Sequence, residues 1–364
     1  MKTPEHTPHN LLEFDIPTLH QAQLDLVRRD NLYATEVGGL DVAEALDTLQ
    51  RCAGQQVIGI DIGGDKLMVQ EYKATEQGLV EVPDGYKDFA QDKRGSGYVA
   101  KLQQAASYAQ AHDVAVGMSI GMPVENGKPA DPRKLPALQT DLQAYDSDFC
   151  ELIPSMKACL NDGPAGLISG AIHANVLAQR EVNEVLYLIN GGGMNTAVLH
   201  EGKLIAMEAG HTVGVADELD RYNVRRACGV FGLQHTCIEL VASSGEGIEQ
   251  IWHDQTGEQA SGLDIERHVL ANGEHARLGM DLYEYSAFMA AHLIQGVANS
   301  FEIDLTEPSA AVVGHGGAFK FPDYGTRIQQ VLNQADNGNV KLLMTHTYSR
   351  NACMDGAALA AIIS

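Results

Sequence analysis

Two segments of the chain share one plan: an apolar strand runs into adjacent glycines, and the chain returns as a second strand. The first has an apolar run at 57–62, then Gly63-Gly64, then a strand over 67–72. The second has a strand at 184–189, the loop Asn190-Gly191-Gly192-Gly193 and a returning strand over 194–200. Glu201-Gly202 then turns into a further strand over 203–207. Glycines at a strand end let backbone N–H groups approach an anion closely. Two such hairpins separated by helices point to a duplicated α/β unit, not a single Rossmann domain. With 364 residues the chain is long for one compact core and natural for two domains.

The remaining pattern fits this reading. An alanine-rich helix is expected over 98–112, and a strand over 114–120 closes at Gly121-Met122-Pro123. A short strand ends at Cys159-Leu160, just before Asn161-Asp162, and a helix of small residues follows over 164–180. A late strand at 310–313 runs into Gly314-His315-Gly316-Gly317, and an apolar helix over 354–363 ends the chain. Residues 1–50 are read as a helical extension on the first domain, with amphipathic helices near 16–29 and 41–52. The expected domains are 51–162 plus 350–364, and 163–349.

Lys and Arg total 25 against 48 Asp and Glu, a formal charge of -23. So acidic a chain repels nucleic-acid phosphates and anionic membranes, so no nucleic-acid or membrane partner is expected. A helix-turn-helix in the extension is disfavoured too, because no basic recognition helix is present. A phosphorylated ligand is not excluded, since local N–H groups and a metal ion override net charge. The six cysteines (Cys52, Cys150, Cys159, Cys228, Cys237 and Cys353) are too sparse for a disulfide framework. No apolar stretch reaches membrane-span length, and the first ten residues do not resemble a signal peptide. A cytoplasmic location is expected.

Four segments carry candidate chemistry. In Asp61-Ile62-Gly63-Gly64-Asp65-Lys66, a strand-end carboxylate can hold a hydrated Mg²⁺ and the glycines can cradle phosphate. A plain hairpin turn explains the same residues. Asp162 can take a proton from an alcohol attacking a phosphoryl group, while Asn161-Asp162 also suits a helix N-cap. Glu208 and His211 flank a glycine and can grip sugar hydroxyls as acceptor and donor, or lie in a solvated turn. His211, Cys228, His235 and Cys237 form a plausible zinc set, against which stands the ordinary burial of free cysteines.

These motifs, in this order, resemble the ROK family of repressors, open-reading-frame proteins and sugar kinases. The similar stretches are 59–66, Gly121-Met122-Pro123, Asn161-Asp162, 208–211, 228–239 and 314–317. The resemblance implies a two-domain actin-like ATPase (ribonuclease H-like) fold with duplicated mixed-sheet units. It implies an ATP-dependent sugar kinase acting on a hexose or N-acetylhexosamine, with Mg²⁺, a structural Zn²⁺ and a homodimeric assembly. Asp162 matches the family's catalytic base, and Asn161, Glu208, His211 and Glu239 match its sugar-binding positions. Asp61, Gly63, Gly64, Asp65, Lys66, Gly192, Gly193, Gly316 and Gly317 would lie around the nucleotide. His211 and the cysteine segment match the zinc site, with His235 substituted as a ligand.

The sequence departs from the family on the phosphate side. Asp65 stands where the family has a hydroxyl residue, and its charge repels phosphate unless Mg²⁺ or Lys66 compensates. The second loop has Gly-Gly-Gly in place of Gly-Thr-Gly, and the zinc segment is stretched. A non-catalytic sugar-binding or regulatory protein on the kinase fold is therefore the rival expectation.

Overall fold

The computed structural model describes residues 27, 32–64, 66–91, 97–130, 149–212, 222, 237–242, 245–336 and 338–364. The first half of the described chain runs β1 (Thr35–Gly39), α1 (Val42–Arg51), β2 (Gln56–Ile62), β3 (Lys66–Thr75), β4 (Gly78–Glu81), β5 (Lys87–Gln91) and α2 (Tyr98–His112). It continues with β6 (Ala115–Ile120), the short pair β7 (Val124–Glu125) and β8 (Lys128–Pro129), then β9 (Met156–Asn161). The second half holds α3 (Asp162–Ala178), β10 (Glu184–Asn190), β11 (Met194–His200), β12 (Lys203–Ala206) and four helices, α4 (Ile238–Ala242), α5 (Glu246–Thr256), α6 (Gly262–Leu270) and α7 (Ala276–Ser300). Last come β13 (Ala310–His315), α8 (Tyr324–Asp336), β14 (Leu342–Met344) and α9 (Ala352–Ile363).

The strands build two sheets of one design. In the first, the order is β4-β3-β2-β6-β9, with β5 also on β3. β2 is antiparallel to β3 and parallel to β6, which is parallel to β9. In the second, β12-β11-β10-β13-β14 repeats that order, with β10 antiparallel to β11 and parallel to β13. This repeated three-antiparallel, two-parallel arrangement is the duplicated mixed-sheet unit expected of the sequence. The central strands are apolar runs because both faces of each sheet are covered: β2 is buried from Val57 to Ile62.

Two helices join the halves. α9 packs along α3 and against β2, β6 and β9, while α3 also packs on β10 and β11. The helices touch backbone to backbone. A Cβ placed on Gly356 of α9 would stand 1.6 Å from the Ala165 carbonyl oxygen of α3. Only glycine permits that approach. Each helix starts on an asparagine cap, Asn161 for α3 and Asn351 for α9.

The extension differs from its helical reading. Residues 42–51 are helical, with Asp41 accepting from the Glu44 N–H at 3.0 Å. Residues 35–39 instead form β1, an edge strand antiparallel to β12 of the second sheet. Every β1 residue is exposed, so no apolar alternation marks it in the sequence. The helix expected near 16–29 lies outside the described residues apart from Val27, a core residue packed beside Gly296. Among the described residues, no helix is long and apolar enough to cross a membrane.

Candidate active site

The strand ends of both sheets bring the sequence candidates together around Asp162. β9 stops at Asn161, which lies beside Ile120 of β6, and α3 begins at Asp162. Asn161 does cap α3, accepting from the Gly163 N–H at 3.2 Å. Its amide also donates to the Met122 carbonyl at 3.0 Å, so the Gly121-Met122-Pro123 turn is tied to the pair. Capping and site-building are one arrangement here. Asp162 Oδ1 accepts from Gly163 N–H at 2.8 Å, and a Cβ on Gly121 would stand 3.8 Å from Asp162 Oδ2. Burial, then the nearby charge of Asp61, pushes the Asp162 carboxyl up to about 6, against the pull of the Gly163 N–H.

Asp61 lies on one side, at the end of β2. Its Oδ1 accepts from the Ser119 hydroxyl at 3.0 Å. Its Oδ2 accepts from Asn351 at 2.8 Å and pairs with Lys66 Nζ at 3.1 Å. Burial alone would raise its pKa, yet Lys66, Asn351 and Ser119 outweigh burial and hold it below the usual carboxylate range. Asp61 in turn raises Lys66, which stays cationic. Asp65 lies outside the described residues.

On the other side stand Glu208, His211 and Glu239. Glu208 precedes the short turn Ala209–His211, and Glu239 sits in the first turn of α4. The His211 imidazole lies 3.9 Å from a carboxylate oxygen of each. Asn195 clamps the group, donating to Glu208 at 3.0 Å and accepting from the Ala209 N–H at 3.0 Å. Burial pushes Glu208 up to about 7, aided by the charges of Asp162 and Glu239. Burial likewise pushes Glu239 up to about 7, and it pushes His211 down. The result is a neutral imidazole between two carboxyls of reduced acidity, a set of acceptors and donors suited to hydroxyl groups.

The glycine loops meet around this centre. A Cβ on Gly193 would lie 3.2 Å from the Glu239 carboxyl, so the β10–β11 loop borders the Glu208–Glu239 set. Gly316 has φ +111, and a Cβ there would collide with the Asn190 carbonyl oxygen at 2.1 Å. The third loop, with Gly316 and Gly317, therefore rests on the second. A side chain at Gly64 or Gly192 would project into open space. Within the loops, the Gly63 N–H donates to the Lys66 carbonyl at 3.0 Å and the Gly191 N–H to the Gly193 carbonyl at 2.9 Å.

Three participants were not singled out from the sequence: Ser119, Asn351 and Asn195. His315, quoted only as part of its loop, bonds Thr345 through Nδ1 at 2.7 Å. Burial and the charge of Lys66 push it down to about 4. Asn195 stands two residues after Gly193, as the second residue of β11, and that closeness to the second glycine loop is a usable signal. Of the zinc set, Cys228 and His235 lie outside the described residues and Cys237 is buried. Among the described residues, no group of three or more His, Cys, Asp or Glu is arranged to hold a metal ion.

Two ribonuclease H-like sheets with carboxylates and glycine loops at their facing strand ends define an actin-like ATPase fold. The ROK family model matches residues 158–363, more than half of the chain, and the chain belongs to the ROK family. Among solved structures, it is similar to the ROK hexokinase from Thermus thermophilus, at 17% identity over 84% of this chain and 98% of that one, with a TM-score of 0.58. A ROK glucokinase from Streptomyces griseus, in complex with glucose and AMPPNP, is 18% identical over 84% of this chain and 99% of its own, with a TM-score of 0.58. A ROK family transcriptional regulator, a homologue of the E. coli MLC protein, is 14% identical over 94% and 97%, with a TM-score of 0.55. At these identities the likeness is one of fold. None of the curated proteins matches the sequence.

Proposed function

We propose that this chain is an ATP-dependent kinase of a hexose or N-acetylhexosamine, with Asp162 as general base. The observation that carries this reading is the position of Asp162 between the Asp61–Lys66 pair and the Glu208–His211–Glu239 set. The sugar hydroxyl gives its proton to Asp162 as its oxygen bonds to the γ-phosphorus, and the bond to ADP breaks. A carboxyl at about 6 is largely ionised near neutral pH and is a stronger base than an exposed aspartate. Asn161, Glu208, His211 and Glu239 orient the sugar. Lys66 and the loops at Gly63, Gly64, Gly192, Gly193, Gly316 and Gly317 surround the phosphates, the Gly63 N–H itself being held by the Lys66 carbonyl at 3.0 Å.

Mg²⁺, bound with the nucleotide, supplies neutralisation of phosphate charge. Both Asp61 oxygens are already engaged by Ser119, Asn351 and Lys66. That donor set fits a hydrated ion reached through water, not a directly coordinated one. In this reading 51–162 plus 350–364 and 163–349 act as two domains that close on the cleft and exclude water. The protein is a soluble homodimer. A structural zinc would be held by His211, Cys228, His235 and Cys237. Metal analysis finding no stoichiometric zinc removes that last element.

The engaged state of Asp61 and the missing hydroxyl in the second glycine loop favour a second reading, a sugar-binding regulator that does not turn over ATP. Titration calorimetry separates the two. Binding of both a hexose and Mg-ATP supports the kinase, and sugar binding without Mg-ATP binding supports the regulator.

A further inference from the structure

A cavity of about 1070 Å³ adjoins the sugar-binding candidates and is walled by the N-terminal extension. Its lining includes Asn161 and Glu208, β1, the start of α1, the β7–β8 turn, β9 from Lys157 and the end of α9. Its size lies just above the roughly 300–1,000 Å³ typical of small-molecule sites. Of the sugar-binding candidates, Asn161 and Glu208 line this cavity while His211 and Glu239 do not, so a hexose centred on His211 would reach only its inner end.

The extension is fastened to the site itself. The fully buried Leu32 accepts the Glu208 N–H on its carbonyl at 3.1 Å. Tyr33 follows with φ +51, an uncommon conformation for a bulky residue. That turn feeds the chain into β1, where Thr35 pairs with Ala206, and the Leu40 N–H bonds the Gly202 carbonyl at 2.8 Å. Among the described residues Tyr33 is the one aromatic of the wall, and a tyrosine ring offers an apolar face with a polar tip. Among the described residues the wall is mostly acidic: Glu36, Asp41, Glu44, Glu125 and Glu208 against Lys157, with Glu36 paired to Lys203 at 3.3 Å. Carboxylates accept hydrogen bonds from hydroxyls and repel anions.

We infer that β1 and the β7–β8 turn build a second subsite, which receives a neutral glycosyl extension of the substrate and excludes a phosphorylated or carboxylated one. The inference rests on the sugar reading of the Glu208–His211–Glu239 set. The substrate class it names is a disaccharide or glycoside whose reacting ring lies at Asp162 and whose second ring lies against β1.

Calorimetric titration of the full chain compares glucose and N-acetylglucosamine with maltose, cellobiose, diacetylchitobiose and cellobiose 6′-phosphate. At least one neutral disaccharide should bind tenfold or more tightly than its monosaccharide, and cellobiose 6′-phosphate should bind more weakly than cellobiose. Val37 lines the cavity and is 38% exposed on an edge strand, where an aromatic residue is well tolerated. Val37→Trp should abolish the disaccharide gain and leave monosaccharide affinity unchanged. Glu125→Lys, on the opposite wall, should narrow the gap between cellobiose and its phosphate. Monosaccharide binding with no disaccharide gain, or a gain that survives Val37→Trp, overturns the subsite alone. No binding of any of these sugars overturns the sugar reading together with it.

Discussion

Asn351 donates its side-chain amide to Asp61 at 2.8 Å, joining residues 290 positions apart. The same side chain accepts the Met354 N–H at 3.2 Å and so caps α9. One asparagine thus fixes both the start of the last helix and the orientation of the first carboxylate. Replacing it separates the two roles. Asn351→Ala loses both and should cost about 1–2 kcal/mol in chemical denaturation, the usual price of a lost cap. Asn351→Asp keeps a capping oxygen but sets a second carboxylate against Asp61. Two buried carboxylates in contact cannot both ionise, so at pH 8 its stability should fall at least as far as that of Asn351→Ala and recover as pH falls, while Mg-ATP affinity in calorimetry falls more.

Asp162 should trade stability for chemistry. Its carboxyl is raised from 3.8 to about 6 in the folded chain, so the protonated form is the one that folding favours. That contribution is complete below about pH 4 and is lost as pH rises through about 6. Asp162→Asn does not titrate, so its melting temperature should exceed that of the natural protein at pH 8 and match it near pH 4. The difference at pH 8 is at most about 3 kcal/mol. Equal melting temperatures at both pH values would mean that Asp162 is solvated rather than buried.

Sugar affinity should rise with pH. Glu208 and Glu239 are each raised to about 7, and an ionised carboxylate is the better acceptor for a hydroxyl. Calorimetry at pH 5.5 and pH 8 should show tighter hexose binding at pH 8. Glu208→Gln should weaken binding at pH 8 and flatten the dependence.

The crossing of α3 and α9 should tolerate no side chain at Gly356. A Cβ there meets the Ala165 carbonyl at 1.6 Å, so Gly356→Ala must push the helices apart. Overpacking of this kind costs about 1–3 kcal/mol or more. Denaturant midpoints at unchanged m value measure it.

Local signals in the sequence reached the parts of the fold that short-range physics decides. The helix expected over 98–112 is α2 (Tyr98–His112), and the strand expected over 194–200 is β11 (Met194–His200). Both have strong composition and a glycine or polar break at their ends. β1 escaped because Thr35–Gly39 is exposed along its whole length and becomes a strand only by pairing with β12. Ser119 and Asn351 escaped because each meets Asp61 only after strands and helices far apart in sequence have assembled. The first carboxylate was legible, but the partners that occupy both its oxygens were not. Those partners are what make Asp61 a poor direct metal ligand.

The most direct test is a coupled ADP-release assay with Mg-ATP over hexoses, N-acetylhexosamines and their neutral disaccharides, run on the natural chain and on Asp162→Asn. Sugar-dependent ADP release is expected for at least one sugar, reduced by roughly 10²–10⁴-fold in Asp162→Asn, whose calorimetric sugar affinity is retained. ADP release undiminished in Asp162→Asn, or none with any sugar that binds, would contradict it.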